Sequence, residues 1–488
     1  MGKYFLYYIN MTMISSKDTL EKHIKYNSHY KPNTMYWGLG IENEIYLEFD
    51  KMIKFDKNKF LKNHKRERYS VDYYTNYKKN ILDRAFVEYS KNYNGMIPLM
   101  MNCHSFTKTD KNNCSRTMYT KLSEPNKNFN GMLLTELLFE NNKYLKDNYD
   151  KNFVYEGDII EFITLDFFNT SLDAMISELT TTTKNYIDNL QQMFTKYNIY
   201  PDYGTINIMK TNNPFAVYLT NMDNVGMFNN GTLHFNITLP TQLDNNYTIV
   251  DMDRFITSHC NYIRLIQAME PILITIYGTP DPFSYIMTKN TDNTIFSSCS
   301  QRCAISRYIG LGTYDTDTMK TGKMLTDDIK IFPIAREEYG WYKVYHKDSA
   351  YNTLDELGYD INFNKHYNHG VEIRFFDHIS DINKIKEVMK FLIHLGDMAL
   401  RKNNIKNPVT NIIWNSLVVD CMKYGKDTKL TSDYIDFYNM VFDFKFKSTN
   451  ITNLYYEIFD LLIHGSKING MFSSVALHNN MNIIYYDV

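Results

Sequence analysis

Four short runs along the chain alternate apolar and polar residues with the two-residue period of a β-strand, and each carries an acid or a histidine. They are WGLGIENEIYLEF at 37–49, EGDIIEFIT at 156–164, GTLHFNITLP at 231–240 and HGVEIRFFD at 369–377. Successive side chains on a strand point to opposite faces, so residues two apart share a face. Glu42 and Glu44 are therefore paired, as are His234 and Asn236, and Glu372 and Arg374. Glu161 stands between Ile160 and Phe162. Each run alone has an ordinary explanation. Glu42 and Glu44, continued by Tyr46 and Glu48, read as the wet face of a half-exposed strand. His234 reads as a satisfied structural histidine, and Glu372 with Arg374 as a surface ion pair. Four such runs in one chain are hard to explain as four independent surfaces. Adjacent carboxylates repel unless a cation sits between them, and acids with an imidazole on sheet strands make a candidate site for a hard metal ion.

Between these strands the apolar spacing changes to that of helices. Leu172, Met175, Ile176, Leu179, Ile187, Leu190, Met193 and Phe194 recur at helical intervals and predict a core-facing helix over 171–198, its methionines serving as packing. A second striped helix is expected over 251–277, stopped by Gly278 and Thr279-Pro280. Others are expected at 17–27 (opened by Ser16), 381–401, 431–442 and 452–464. Residues 4–14 read as a further strand, and 232–239 as a strand ended by Pro240. The Lys- and Tyr-rich stretch 55–90 reads as helical. Residues 104–130 read as a long loop, a place where function often resides; Tyr119-Thr120-Lys121 is a candidate for closing over a substrate. Residues 310–365 are loop-rich and the tail 468–488 looks loosely held. The order of elements predicts an α+β fold with helices segregated to one face of the sheet.

Composition narrows the function classes. The chain has 488 residues, is 44% hydrophobic and has a formal net charge of −2. A large core is available, and no bulk charge draws the chain to nucleic acid or an anionic membrane. Lys62–Arg68 is a local basic run, of the kind usually found solvated on a surface. No apolar run approaches the roughly 20 residues of a membrane span. Neither a signal peptide nor a myristoylation site is expected: Leu6 stands where the latter wants Ser or Thr. The six cysteines form no C-x-x-C pair and read as reduced thiols, consistent with a cytoplasmic protein.

The motifs, taken in order, resemble a family. Glu42-x-Glu44, then Glu161 ahead of a long helix, then His234, then Glu372-x-Arg374 are similar to the strand motifs of the glutamine synthetase-like carboxylate–amine ligases, which include the amidoligases and glutamate–cysteine ligase. Ala268-Met269-Glu270-Pro271 with Tyr277-Gly278 is similar to the helix that follows the family's histidine strand. Ser300-Gln301-Arg302-Cys303-Ala304-Ile305-Ser306-Arg307 resembles the run whose two arginines, five apart, meet nucleotide phosphates. Two arginines on a surface loop are the plain alternative. The resemblance extends over about 36–400 in short islands. It departs where Asn236 stands in place of a second histidine, where glycines before His234 are few, and where Arg307 and Glu372 are far apart.

The resemblance implies a curved antiparallel sheet forming a funnel, with helices on its outer face. The implied organisation is an N-terminal segment 1–35 packed on the core, a catalytic domain 36–400 with insertions at 50–150 and 310–365, and a mostly helical extension 401–488. It also implies ATP-dependent formation of an amide or peptide bond through an acyl phosphate, with Mg²⁺ or Mn²⁺. Glu44 and Glu161 are then assigned to one metal, and Glu42, His234 and Glu372 to another. Arg374 and Asn236 are assigned to substrate, and Arg302 and Arg307 to phosphates, where a planar guanidinium binds oxygens bidentately. Arg302, Arg307 and Arg374 are the expected catalytic residues. The expected partners are an amino acid or amine and a carboxylate carried by a small molecule, peptide or protein. His366, His369 and His378 flank the Glu372 strand, either as loop contacts or as a second cluster. Two other classes stay open: a relative that has lost turnover and acts as a binding or structural protein, and a metal-dependent hydrolase, which needs the acids but not the three arginines.

Overall fold

A computed structural model describes residues 35–54, 96–101, 103, 132–156, 159–164, 172–210, 231–246, 248–279, 313–323, 360–363, 370–465, 475–476 and 482–484. The described strands are β1 (Met35–Ile45), β2 (Leu47–Lys54), β3 (Met96–Met101), β4 (Phe153–Glu156), β5 (Ile159–Ile163), β6 (Ile206–Ile208), β7 (Thr232–Gln242), β8 (Thr313–Asp315), β9 (Lys320–Lys323), β10 (Ile361–Phe363), β11 (Val371–Asp377), β12 (Val475–Ala476) and β13 (Asn482–Ile484). The described helices are α1 (Leu134–Asn141), α2 (Lys143–Asn148), α3 (Leu172–Lys196), α4 (Met252–Tyr277), α5 (Ile382–Arg401), α6 (Ile412–Tyr424), α7 (Ser432–Phe442) and α8 (Ile451–Gly465). The fold is α+β. Eight strands form an open sheet in the order β10-β11-β7-β1, with β5 and β13 sharing the far edge of β1, β4 beyond β5, and β12 beyond β13. Every pairing in it is antiparallel except β1 with β13.

Alternation along the central strands builds the core. Trp37, Leu39 and Ile41 of β1 and Leu233, Phe235, Ile237 and Leu239 of β7 are fully buried. Gly396 marks how closely α5 approaches these strands, since an added Cβ would lie 2.7 Å from the Leu239 side chain and 3.0 Å from the Trp37 ring. Leu172, Met175, Leu179, Leu190, Met193 and Phe194 of α3 are buried at the predicted spacing, with Ile176 and Ile187 partly buried. Asp251 caps α4 through the Arg254 N–H and Gly278 closes it. Helices α6, α7 and α8, beyond residue 401, share the same hydrophobic core. No helix among the described residues is long and apolar enough to cross a membrane.

Four expectations change. The strand expected over 37–49 breaks at Tyr46, and β2 joins a separate sheet between β3 and β6. The break reverses the alternation: Glu48 does not continue the face of Glu42 and Glu44, and Tyr46 is buried. Pro240 does not end β7, because the register slips there; Thr238 pairs with Gly38 but Thr241 with Tyr36. A bulge tolerates a residue without an N–H. The tail expected to be loose contributes β12 and β13 to the main sheet, and α6 is a helix that periodicity did not announce. The expected strand 4–14, helix 17–27, helical stretch 55–90 and loop 104–130 lie outside the described residues.

Two positions in this framework give measurable consequences. A Cβ at Gly370 would lie 2.5 Å from the Ile237 carbonyl oxygen and 2.8 Å from the Thr238 Cα. Backbone cannot swing aside as a side chain can, so Gly370→Ala is expected to cost about 2–3 kcal/mol, read as a lower urea midpoint; an unchanged midpoint refutes the close approach. His259 is buried and neutral. Its Nδ1–H donates to the Phe255 carbonyl at 2.7 Å, and its Nε2 accepts the Leu239 N–H at 3.0 Å. Burial pushes its pKa down to about 4, against the Phe255 carbonyl. The unfolded ring takes up a proton near its ordinary 6.5 and the folded ring resists until about 4. Its stabilisation is therefore complete above 6.5 and is lost as the pH falls toward 4, about 2 kcal/mol of it by pH 5. Unfolding free energy should then drop more steeply from pH 7 to pH 5 in the wild type than in His259→Gln, and parallel slopes would exclude this role.

Candidate metal centre

Cross-strand register brings the polar pairs together on the face of the sheet opposite Trp37, Leu39 and Ile41. Glu42 of β1 stands directly opposite His234 of β7, Glu44 opposite Glu161 of β5, and Asn236 of β7 opposite Glu372 of β11. Directly opposed residues hold their Cβ atoms about 5 Å apart, so acids on neighbouring strands meet through their carboxylates. Two groups result: Glu42, His234 and Glu372, and Glu44, Glu161 and His234. Within each group one potential ligand atom per residue lies within 4.8 Å of the others. Glu161 is half-buried and the rest are buried.

His234 sits between the groups. Its Nδ1 lies 2.9 Å from Glu42 Oε2 and 3.8 Å from Glu372 Oε1, and its Nε2 lies 3.7 Å from Glu44 Oε1. Thr232 decides which group it serves. The Thr232 hydroxyl donates its one proton to Glu44 Oε2 at 3.0 Å, so it accepts from His234 Nε2–H at 2.9 Å. Nδ1 then faces Glu42 Oε2 at hydrogen-bond distance, so a cation shared with Glu42 and Glu372 would take the place of an Nδ1 proton. The Thr232 backbone N–H also donates to Glu44 at 3.0 Å.

The remaining partners orient the carboxylates. Asn362 Nδ2 donates to Glu372 Oε2 at 2.6 Å, Asn236 Nδ2 approaches Glu42 Oε1 at 3.5 Å, and Arg374 Nη1 donates to Glu372 Oε1 at 2.5 Å. Burial opposes the charge on Arg374, but the carboxylates of Glu372, Glu42 and Glu44 overcome it and raise the guanidinium pKa above its ordinary value. A slip in register between Ile373 and Phe376 against β7 sets Arg374 at an irregularity of its strand. Two carboxylates 4 Å apart repel by about 4 kcal/mol at an effective dielectric of 20. Among the described residues, one guanidinium and one imidazole stand beside four acids, an arrangement that could hold a cation. Oxygen donors with one imidazole fit Mg²⁺ or Mn²⁺.

All five expected metal ligands thus converge, with Arg374 and Asn236 beside them. Thr232 and Asn362 were not singled out from the sequence. Thr232 shares the face of His234 by the same two-residue rule, but a threonine on a strand is unremarkable; Asn362 lies on a three-residue strand with no period to read. His378 does not join the site. It is buried outside the carboxylate cluster and lines a cleft with Asn43 of β1. Arg302, Arg307, His366, His369 and Tyr119-Thr120-Lys121 lie outside the described residues.

Among curated proteins, "Uncharacterized protein R704" of Acanthamoeba polyphaga mimivirus is 35% identical over 417 residues, spanning 85% of this chain and 72% of that protein. The chain belongs to the family of that mimivirus protein. No family model matches it, and no solved structure does. The aligned length exceeds what a small shared module would give, so this family is defined by most of the chain and not by the strands of the centre alone.

Proposed function

We propose that the chain is an ATP-dependent carboxylate–amine ligase that uses Mg²⁺ or Mn²⁺ and forms an amide or peptide bond by way of an acyl phosphate. The observation that carries this reading is the convergence of Glu42, His234 and Glu372 beside Glu44 and Glu161, which differs from the two ligand groups that the family resemblance implies only in that His234 reaches both. The finer architecture proposed with it is a curved sheet whose concave face forms a funnel around these acids. Divalent ions held there would neutralise the charge that spreads over a transferring phosphoryl group.

The chain's own residues have distinct tasks. Arg374 Nε and Asn236 Oδ1 are buried without a hydrogen-bond partner, a donor and an acceptor beside the acids. Arg374 is assigned to a substrate carboxylate and Asn236 to a donor group on the substrate. Thr232 and Asn362 hold Glu44 and Glu372 in place. Arg302 and Arg307 are assigned to nucleotide phosphates. The substrates in this reading are an amino acid or amine and a carboxylate on a small molecule, peptide or protein.

One observation favours a second reading. The 2.5 Å pair of Arg374 with Glu372, and the contact of His234 with Glu42, offset two of the acids without any metal. A relative that binds without turnover would keep such a network. ADP release from Mg²⁺-ATP in the presence of pooled amines, amino acids and carboxylates separates the two. Release stimulated by one pool supports the ligase. No release, together with no thermal stabilisation by Mg²⁺-ATP, supports the binding protein.

A further inference from the structure

A cleft of about 670 Å³ lies between α3 and the strands β1, β2 and β6. Asn43 and Ile45 of β1 line it, and these alternate with Glu42 and Glu44, so the cleft is behind the carboxylate cluster. Its apolar wall includes Ile45, Leu179, Ile206, Ile379 and Ile385. Two polar side chains interrupt that wall. Asn43 and His378 are 8% and 9% exposed; neither Asn43 Oδ1 nor either ring nitrogen of His378 makes a well-formed hydrogen bond, the Met209 backbone being the polar neighbour of the imidazole. Burial pushes the His378 pKa down to about 4, and the nearby Met209 backbone offsets this only in part. An uncompensated buried polar group costs about 1–3 kcal/mol, and two of them lining one cleft form a prepared pair of contacts.

The chemistry of the rim selects the ligand. Lys184 pairs with Asp188 at 2.8 Å. Asp50 accepts from the Thr205 N–H and from Asn207. Burial raises the Glu48 pKa, and Lys210 opposes that shift. Lys184 is matched by Asp188 and Lys210 lies near Glu48, so a phosphate meets no unmatched positive charge, and the buried polar groups of the cleft are neutral. A neutral imidazole offers one donor and one acceptor, and an amide offers the same two functions. The complement is a flat ring with adjacent N–H and C=O groups, its faces against isoleucine.

We propose that this cleft is a second binding site, for an uncharged planar ring bearing an amide or lactam group, whose polar edge pairs with Asn43 and His378. Solvent does not reach the unpaired atoms, so entry involves a rotamer adjustment of these two side chains. Such a ligand would press on the back of the strand that holds Glu42 and Glu44. The proposal does not depend on the ligase reading.

The test is saturation-transfer NMR on the full chain with EDTA present, using nicotinamide and uracil as probes and nicotinate and orotate as their charged counterparts. Both neutral probes are expected to bind at millimolar concentration, at least about tenfold more tightly than the anions. Asn43→Leu and His378→Phe should weaken binding about tenfold while the melting temperature stays level or rises, because each removes an unpaired polar group. Thr180→Trp, placed at an exposed helix position lining the cleft, should block binding without disturbing the core. Absence of transfer to both neutral probes overturns the proposal, as does equal binding of the anions or full binding by all three variants.

Discussion

Glu372→Gln is expected to lower the proposed Mg²⁺-ATP-dependent ADP release by about 1000-fold or more, and to weaken Mn²⁺ binding by at least about 100-fold. The substitution keeps the shape of the side chain and one acceptor oxygen, for Arg374 or for Asn362, which donate to different oxygens of the carboxylate. What it removes is one unit of negative charge from a group of three potential ligands. Outer partners of a metal site alone are worth 10–100-fold in affinity or activity, and a direct ligand is worth more. A cation that neutralises a transferring phosphoryl group supplies several kcal/mol, and each 1.36 kcal/mol is a factor of ten in rate. Mn²⁺ titration followed by its electron spin resonance signal measures the first effect, and coupled ADP detection the second. Unchanged Mn²⁺ affinity in Glu372→Gln would remove Glu372 from the site. Lost affinity with no ADP release from the wild type under any substrate pool would leave a metal centre without the ligase.

The site was more legible in the sequence than the fold around it, and the reasons are physical. A strand's period of two is rigid, so Glu42 with Glu44 and Glu372 with Arg374 had to share faces wherever the strands ran. Which strands neighbour one another is set by long-range pairing that no local pattern contains, and the family resemblance implied only which acids group together. The break at Tyr46 was invisible because Tyr46, Leu47, Glu48 and Phe49 continue the alternation through the point where the chain changes sheets. Pro240 misled for the opposite reason. A proline ends a regular ladder, but at a slip in register the missing N–H leaves no pairing to break. Strands of two or three residues, such as β12, β13 and β10, are too short to show a period, and so Asn362 went unnoticed. Asn43 was not singled out from the sequence, because a lone asparagine between two glutamates draws the eye to their face and not to its own; it is buried on the opposite face.

Arg374→Met lowers the unfolding free energy by about 3 kcal/mol in EDTA, and divalent cation restores most of the loss. The guanidinium is the one arginine or lysine charge among the described contacts of the cluster, and it faces Glu372, Glu42 and Glu44. Its side chain is 13% exposed and that of Glu372 is 1% exposed, so little water is available to take its place. Removing one partner of a buried pair leaves the other charge uncompensated, at a cost of about 3–5 kcal/mol. A bound cation stabilises the folded state by an amount that grows with its concentration over its dissociation constant. Without the competing guanidinium the acids bind that cation more tightly, so millimolar Mg²⁺ or Mn²⁺ should raise the melting temperature of Arg374→Met more than that of the wild type. Arg374→Lys retains the charge and so most of the stability, but lacks the planar fork that the proposed substrate carboxylate needs. It should fold like the wild type and turn over poorly. Equal losses for Arg374→Met with and without divalent cation would mean that the acids hold no metal.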